Sequence, residues 1–179
     1  MADYQIVIAG FGGQGLLFSG KVLAYAGLMD GRQLSWLPSY GPEMRGGTAN
    51  CNVILSDSPV GSPIVDRPNV LMVMNNPSLD KYEDAVQPGG MIFLDSSLIG
   101  RRVKRTDVKC FYVPATQMAK DMDAPGLANM ILLGTLLRET KCVSDEVLEA
   151  GLRKVIPARK ADMLSLNLKA IQAGKDYKG

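Results

Sequence analysis

Residues 5–9 (QIVIA) form a short apolar, β-branched run closed by Gly10, the pattern of a buried strand. Beyond a cluster of glycines, residues 16–29 (LLFSGKVLAYAGLM) are rich in Leu and Ala and nearly uncharged, and they predict a helix buried over most of its surface. Gly31 breaks that helix. Residues 32–37 (RQLSWL) predict a second strand, and residues 37–47 (LPSYGPEMRGG), with their prolines and glycines, a loop. Residues 48–55 (TANCNVIL) mix small, polar and apolar positions as a third strand does, and residues 57–68 are rich in proline and turn formers.

Residues 70–74 (VLMVM), 91–94 (MIFL) and 108–113 (VKCFYV) predict further strands. Asn75-Asn76-Pro77 leads into a short amphipathic helix over 78–86, and Pro88-Gly89-Gly90 makes a tight turn. From Ala115 the character changes, and helices are predicted over 117–122, 127–140, 145–156 and 163–173. Ser144 is a good N-cap, with Asp145 and Glu146 in the first turn behind it. Strands that alternate with helices and read as continuous apolar runs argue an α/β domain with a largely parallel sheet, its faces covered by the later helices. No linker, repeat or low-complexity tract divides the chain, so residues 1–179 read as one domain.

Charge and composition narrow the chemistry. Lys and Arg number 20 against 18 Asp and Glu, a net charge of +2, which does not supply the large positive field that non-specific nucleic-acid binding needs. Histidine is absent, which removes imidazole as a base, a metal ligand or half of a Ser-His or Cys-His pair. The three cysteines, Cys51, Cys110 and Cys142, are widely separated and form no C-x-x-C, so they fit a reducing compartment and exclude a sequence-local zinc or iron–sulfur site. No apolar run approaches the roughly 20 residues of a membrane span. The N-terminal MADYQIVIAG lacks the basic segment of a signal peptide, so a cytoplasmic location is expected.

Gly10-Phe11-Gly12-Gly13-Gln14-Gly15 satisfies G-x-G-x-x-G between a predicted strand and a predicted helix, a Rossmann-like unit. In that setting the glycines permit a tight turn, and the helix N-terminus aims unpaired N–H groups at an anion, usually a phosphate. The other reading is that these glycines only let the turn pack against a neighbour. A self-sufficient dinucleotide site also wants an acidic residue at the end of the second strand, where this chain has Leu37 and Pro38, while Asp30 precedes that strand. A P-loop fails too, because Lys21 follows Ser19-Gly20 well inside the helix.

The second loop offers Tyr40 as a stacking face and hydroxyl, and Arg45 as a fork of donors suited to carboxylate or phosphate. Glu43 could orient Arg45 or meet a cation on a partner, and Gly41, Pro42, Met44, Gly46 and Gly47 complete a loop fit for subunit contact. Loops at the carboxyl ends of neighbouring parallel strands share one crevice, so the two loops are expected side by side at one sheet margin, neither of them a hairpin. The alternative is a rigid surface loop in which Glu43 and Arg45 simply pair. No nucleophile–base pair and no paired carboxylates stand beside either loop, so no catalytic residue and no metal ligand is assigned.

The succession strand, GFGGQG, helix, then PSYGPEMRGGTANC resembles the gamma subunit of 2-oxoacid:ferredoxin oxidoreductases. The form from Tyr40 to Thr48 is most similar to the 2-oxoglutarate type, and Asn129-Met130-Ile131, Leu133-Gly134, Asn167, Ala170 and Gly174 match the family's C-terminal helical pattern. The resemblance implies an α/β/α sandwich packed against catalytic subunits. It further implies a complex that decarboxylates a 2-oxoacid on thiamine diphosphate, passes electrons through iron–sulfur clusters to ferredoxin and forms an acyl-CoA. Thiamine diphosphate would belong to the alpha and beta subunits, and the clusters to the beta and ferredoxin-like delta subunits. Any ligand role here would be contact of Gly10, Gly12, Gly13, Gln14 and Gly15 with coenzyme A phosphates, assisted by Tyr40 and Arg45. A branched-chain or other 2-oxoacid version, a stand-alone nucleotide-binding oxidoreductase and a non-catalytic scaffold are the competing readings. The run Arg101-Arg102-Val103-Lys104-Arg105 reads as a solvated turn or a dock for an acidic partner such as ferredoxin. Met118, Met122, Met130 and Met163 read as core filler or interface.

Overall fold

The computed structural model describes residues 3–39 and 48–179. Six strands form one sheet: β1 (Tyr4–Phe11), β2 (Gln33–Ser39), β3 (Thr48–Ser56), β4 (Val70–Val73), β5 (Met91–Asp95) and β6 (Lys109–Val113), in the order β2-β3-β1-β4-β5-β6. Six helices accompany them: α1 (Leu16–Met29), α2 (Asn76–Tyr82), α3 (Ala115–Asp121), α4 (Ala128–Thr140), α5 (Asp145–Val155) and α6 (Ala161–Asp176).

The α/β class and the element order match the expectation, but the sheet is mixed. β1, β4, β5 and β6 run parallel, whereas β3 lies antiparallel to both β1 and β2. β2 therefore does not neighbour β1, and β2 and β3 are antiparallel neighbours, which corrects the expectation of two loops free of hairpin pairing. The β2 strand also runs on through Pro38 to Ser39, inside the stretch predicted as loop. Proline is tolerated there because β2 ends the sheet order and one side of its backbone needs no ladder partner.

Strict alternation along β1 splits the core in two. Ile6 and Ile8 face the larger cluster, built with α1, α3, α4, α5 and α6, while Val7 and Ala9 face a smaller one completed by Leu79 of α2 and by Val65, Val86 and Ile99. Helix α4 is buried on almost every side, from Ala128 to Leu137, because it lies between the sheet and α6. Gly134 and Gly174 permit that crossing, since a Cβ on either would strike a backbone carbonyl of the facing helix. Met130 is fully buried and Met118 and Met122 pack against the core, as filler would; Met163 is 41% exposed.

Candidate functional site

The strand-to-helix turn after β1 is set by its glycines. Gly13 and Gly15 have φ of +90° and +75°, where an L side chain is strained, and a Cβ on Gly10 would collide with the Gln14 amide. Gln14 is wired inward: its Oε1 accepts from the Phe11 N–H at 2.6 Å and its Nε2 donates to the Met74 carbonyl at 3.1 Å. The sequence offered Gln14 as a ligand contact, and the structure shows its side chain bracing the loop.

Gly15 is the N-cap of α1 and brings no side-chain cap, so the first N–H groups of the helix keep the free donors that every helix start has. The Gly15 carbonyl is held from the other side. It accepts from the Ser19 N–H and hydroxyl and from Asn129 Nδ2 at 2.9 Å, and Asn129 also donates to Ser19 Oγ at 3.1 Å. Asn129 and Ser19 are buried polar residues that motif reasoning about the loop passed over; the signal was a polar side chain at the head of a helix that then runs apolar through Leu133.

Against this turn lies a cavity of about 280 Å³ lined by Phe11, Gly12, Gly13, Gly15, Leu16, Leu17, Phe18 and Ala49. That is smaller than the roughly 300–1,000 Å³ of a complete small-molecule site, so it suits one group of a larger ligand. No titratable side chain among the described residues lines it, and what those residues offer is backbone donors, a helix dipole and apolar walls, with Phe11 41% exposed beside it.

Tyr40, Gly41, Pro42, Glu43, Met44, Arg45, Gly46 and Gly47 lie outside the described residues. Their flanks do not. Thr48 is the register partner of Phe11, and Ser39 and Ala9 both pair with Asn50, so the second loop leaves and re-enters the sheet at the margin that carries the glycine turn. The shared margin arises through the antiparallel β3 lying between the two strands, not through adjacency of parallel strands.

Other candidates are resolved by position. Asp30 caps the far end of α1, about 21 Å along a helix of 14 residues from the glycine turn, and cannot serve a ribose there. Cys51 and Cys142 are buried and Cys110 half-buried; burial pushes the Cys51 thiol up to about 12. Among the described residues no cluster of His, Cys, Asp or Glu could hold a metal ion, and no helix is long and apolar enough to cross a membrane.

The basic run 101–105 divides, with Arg102 and Lys104 exposed as in a solvated turn and Arg101 and Arg105 held by partners. Arg101 pairs with Asp80 at 2.5 Å and with the buried Glu83 at 2.7 Å, and Glu83 also accepts from the Lys104 N–H. Arg105 grips Asp107 and donates to the carbonyls of Glu83, Asp84 and Val86, while Arg102 lies 5.0 Å from the Tyr112 ring centroid.

Fold and turn together define an α/β protein with a glycine turn at the N-terminus of its first helix. Residues 5–177 match the family model described as pyruvate ferredoxin/flavodoxin oxidoreductase, and the chain belongs to that family. A ketoisovalerate oxidoreductase subunit VorA of Methanothermobacter thermautotrophicus is 39% identical over 175 residues, 98% of this chain and 36% of that protein. The chain thus spans about a third of the length of its VorA relatives. A 2-oxoglutarate synthase subunit KorC of Methanocaldococcus jannaschii is 35% identical over 156 residues, 86% of this chain and 83% of the relative. Among solved structures, a keto/oxoacid ferredoxin oxidoreductase gamma subunit from Geobacter sulfurreducens matches with a TM-score of 0.81 and 32% identity, over 96% of this chain and 95% of that one. A 2-oxoglutarate:ferredoxin oxidoreductase from Magnetococcus marinus, solved with 2-oxoglutarate, coenzyme A and succinyl-CoA bound, matches with a TM-score of 0.87 and 25% identity, over 98% of this chain and 31% of that one.

Proposed function

We propose that this chain works in the cytoplasm as the gamma subunit of a 2-oxoacid:ferredoxin oxidoreductase, a single domain without turnover of its own. Partner alpha, beta and delta subunits carry thiamine diphosphate and iron–sulfur clusters, which supply decarboxylation and electron transfer to ferredoxin. The carrying observation is the incomplete site: a glycine turn at a helix N-terminus, walled by apolar side chains, with no acid, base or nucleophile among the described residues that line its cavity. Such a turn holds an anionic group and leaves chemistry to another surface. Coenzyme A phosphates fit that role, with Arg45 and Tyr40 of the second loop as further contacts, and the coenzyme A bound in the Magnetococcus marinus relative supports the choice. Relatives of similar length named for 2-oxoglutarate favour that substrate, while the 39% identity to VorA supports ketoisovalerate as the second reading.

Reconstitution tests this. Added to purified partner subunits, the chain should switch on coenzyme A-dependent reduction of ferredoxin, faster with 2-oxoglutarate than with ketoisovalerate. Turnover by the lone chain would sink the subunit reading. Calorimetric titration of the complex with coenzyme A should lose heat in Gly13→Val and Arg45→Ala; equal heats in all three proteins would remove the direct contact.

A further inference from the structure

Helix α1 turns apolar side chains outward as well as inward. Its exposed positions are Tyr25, Leu28 and Met29, at 36%, 60% and 44%, and every residue from Leu16 to Met29 except Lys21 is uncharged. Leu28 and Met29 stand three and four residues beyond Tyr25, the spacings that make neighbours on a helix surface. The other sides of the helix are taken. A Cβ on Gly20 or Gly27 would strike Cys51 or Leu55 of β3, and a Cβ on Gly151 of α5 would strike the α1 backbone at Val22 and Ala26. Tyr25, Leu28 and Met29 join neither core cluster. A helix apolar on every side belongs in an interior, and here one side is left open. Other exposed apolar residues differ: Met163 and Leu166 stand among exposed Asp162, Ser165 and Lys169, while Ile64 and Leu98 lie singly in separate loops. Leu28 also lies about 18 Å down the helix from Leu16, away from the margin where Ser39 and Thr48 flank the second loop.

The lengths of the relatives bear on what covers this face. The chain matches 36% of the VorA chain and 31% of the Magnetococcus marinus chain, but 83% of the Methanocaldococcus jannaschii KorC and 95% of the Geobacter sulfurreducens gamma subunit. The same domain thus occurs inside a longer polypeptide in some relatives and nearly by itself in others. A separate domain has no tether to keep it at high local concentration, so contact alone must hold it in place. Permanent interfaces of that kind resemble a core cut in half, with Tyr and Met enriched and charge depleted at their centre. The exposed side of α1 has that composition.

We infer that the face of α1 formed by Tyr25, Leu28 and Met29 seats the partner subunit that stands in for the extra polypeptide of the longer relatives, through a dry contact with little charge. The inference rests on the gamma-subunit reading and adds the surface that serves it; it uses no residue of the glycine turn. A bilayer fits this face less well, because helices that lie in a membrane surface carry Lys and Arg on a side that stays wet, and the remaining sides of α1 are packed in the protein.

Sedimentation of the full chain with purified partner subunits tests it. The wild-type chain should co-sediment, with an affinity that changes less than about threefold between about 50 and 500 mM salt, since there is little charge to screen. Leu28→Glu should weaken assembly about tenfold or more, while Ile64→Glu, at a position as exposed, should not. Hydroxyl-radical labelling of Tyr25 and Met29 should fall about threefold or more on assembly. Thermal melts verify folding; if Leu28→Glu unfolds, Leu28→Gln takes its place, and the labelling needs no variant. Assembly that ignores the Leu28 substitutions, or that leaves Tyr25 and Met29 fully labelled, overturns the inference and spares the subunit reading. A wild-type chain that binds no partner subunit overturns both. A lone chain that sediments as a dimer and is split by Leu28→Glu assigns the face to a second copy and overturns the inference, as does binding of the lone chain to phosphatidylglycerol vesicles through Leu28.

Discussion

Asn129 Nδ2 donates to the Gly15 carbonyl at 2.9 Å, tying the head of α4 to the last glycine of the β1–α1 turn across 114 residues of sequence. The same amide reaches Ser19 Oγ, so one buried side chain fixes both the turn and the first winding of α1. Asn129→Ala removes both bonds and leaves the Ser19 hydroxyl short of a buried donor. The expected loss is about 1–3 kcal/mol. Urea unfolding measures it, and amide hydrogen exchange at residues 12–18 should accelerate more than exchange in α5; an unchanged midpoint would show that the tie contributes nothing.

The two positive-φ glycines of the β1–α1 turn, Gly13 and Gly15, separate conformational strain from collision. A Cβ on Gly13 meets nothing within 4 Å, so Gly13→Ala should cost only the strain of a left-handed backbone, about 1–2 kcal/mol. On Gly15 the same Cβ would come within 2.5 Å of Asn129 Nδ2, so Gly15→Ala should cost more than Gly13→Ala. Thermal melts of both variants decide, and a Gly15→Ala protein as stable as Gly13→Ala would mean that Asn129 yields without loss.

How much of this was legible follows from what each signal encodes. Apolar runs placed the strands and the long helices within a few residues, because burial demands them wherever the chain goes next. Strand direction was not legible in β3: alternation in TANCNVIL states which residues face inward, not which way the strand runs, so the largely parallel sheet was expected but the antiparallel placement of β3 was not. The Arg101 to Arg105 run was legible only in part for a related reason. Its partners, Asp80, Glu83 and the carbonyls of Asp84 and Val86, lie about 20 residues upstream, and only tertiary folding brings them together. The glycine turn was legible as a motif, but its braces, Gln14 to Met74 and Asn129 to Gly15, were not.

Buried thiols give the protein an alkaline limit. Burial raises Cys51 from its ordinary 9.0 to about 12, and Cys142 is raised chiefly by burial as well. A thiol kept neutral in the folded state ionises first in the unfolded one, so its contribution is complete below about pH 9 and is lost as pH climbs from there towards 12. Unfolding free energy measured between pH 8 and 11 should fall, with a shallower slope in Cys51→Ala. Slopes that coincide would assign the alkaline loss to other groups.

Arg105 works as a planar fork more than as a charge. Its Nη1 serves three carbonyls, those of Glu83, Asp84 and Val86 at 3.1, 3.2 and 2.9 Å, while Nε and Nη2 take both oxygens of Asp107. A lysine has the charge but not the geometry, so Arg105→Lys should lose nearly as much stability as Arg105→Ala, about 1–3 kcal/mol. The hydrogen bond from Arg105 holds the Asp107 carboxyl below its ordinary 3.8. A carboxyl lowered on folding adds stability above its ordinary value and loses it as pH falls through the folded one, so the Asp107 share disappears below about pH 4. NMR titration of Asp107 in wild type and Arg105→Lys, beside urea unfolding at neutral pH, tests both halves. A lysine variant with wild-type stability would reduce Arg105 to an exchangeable surface charge.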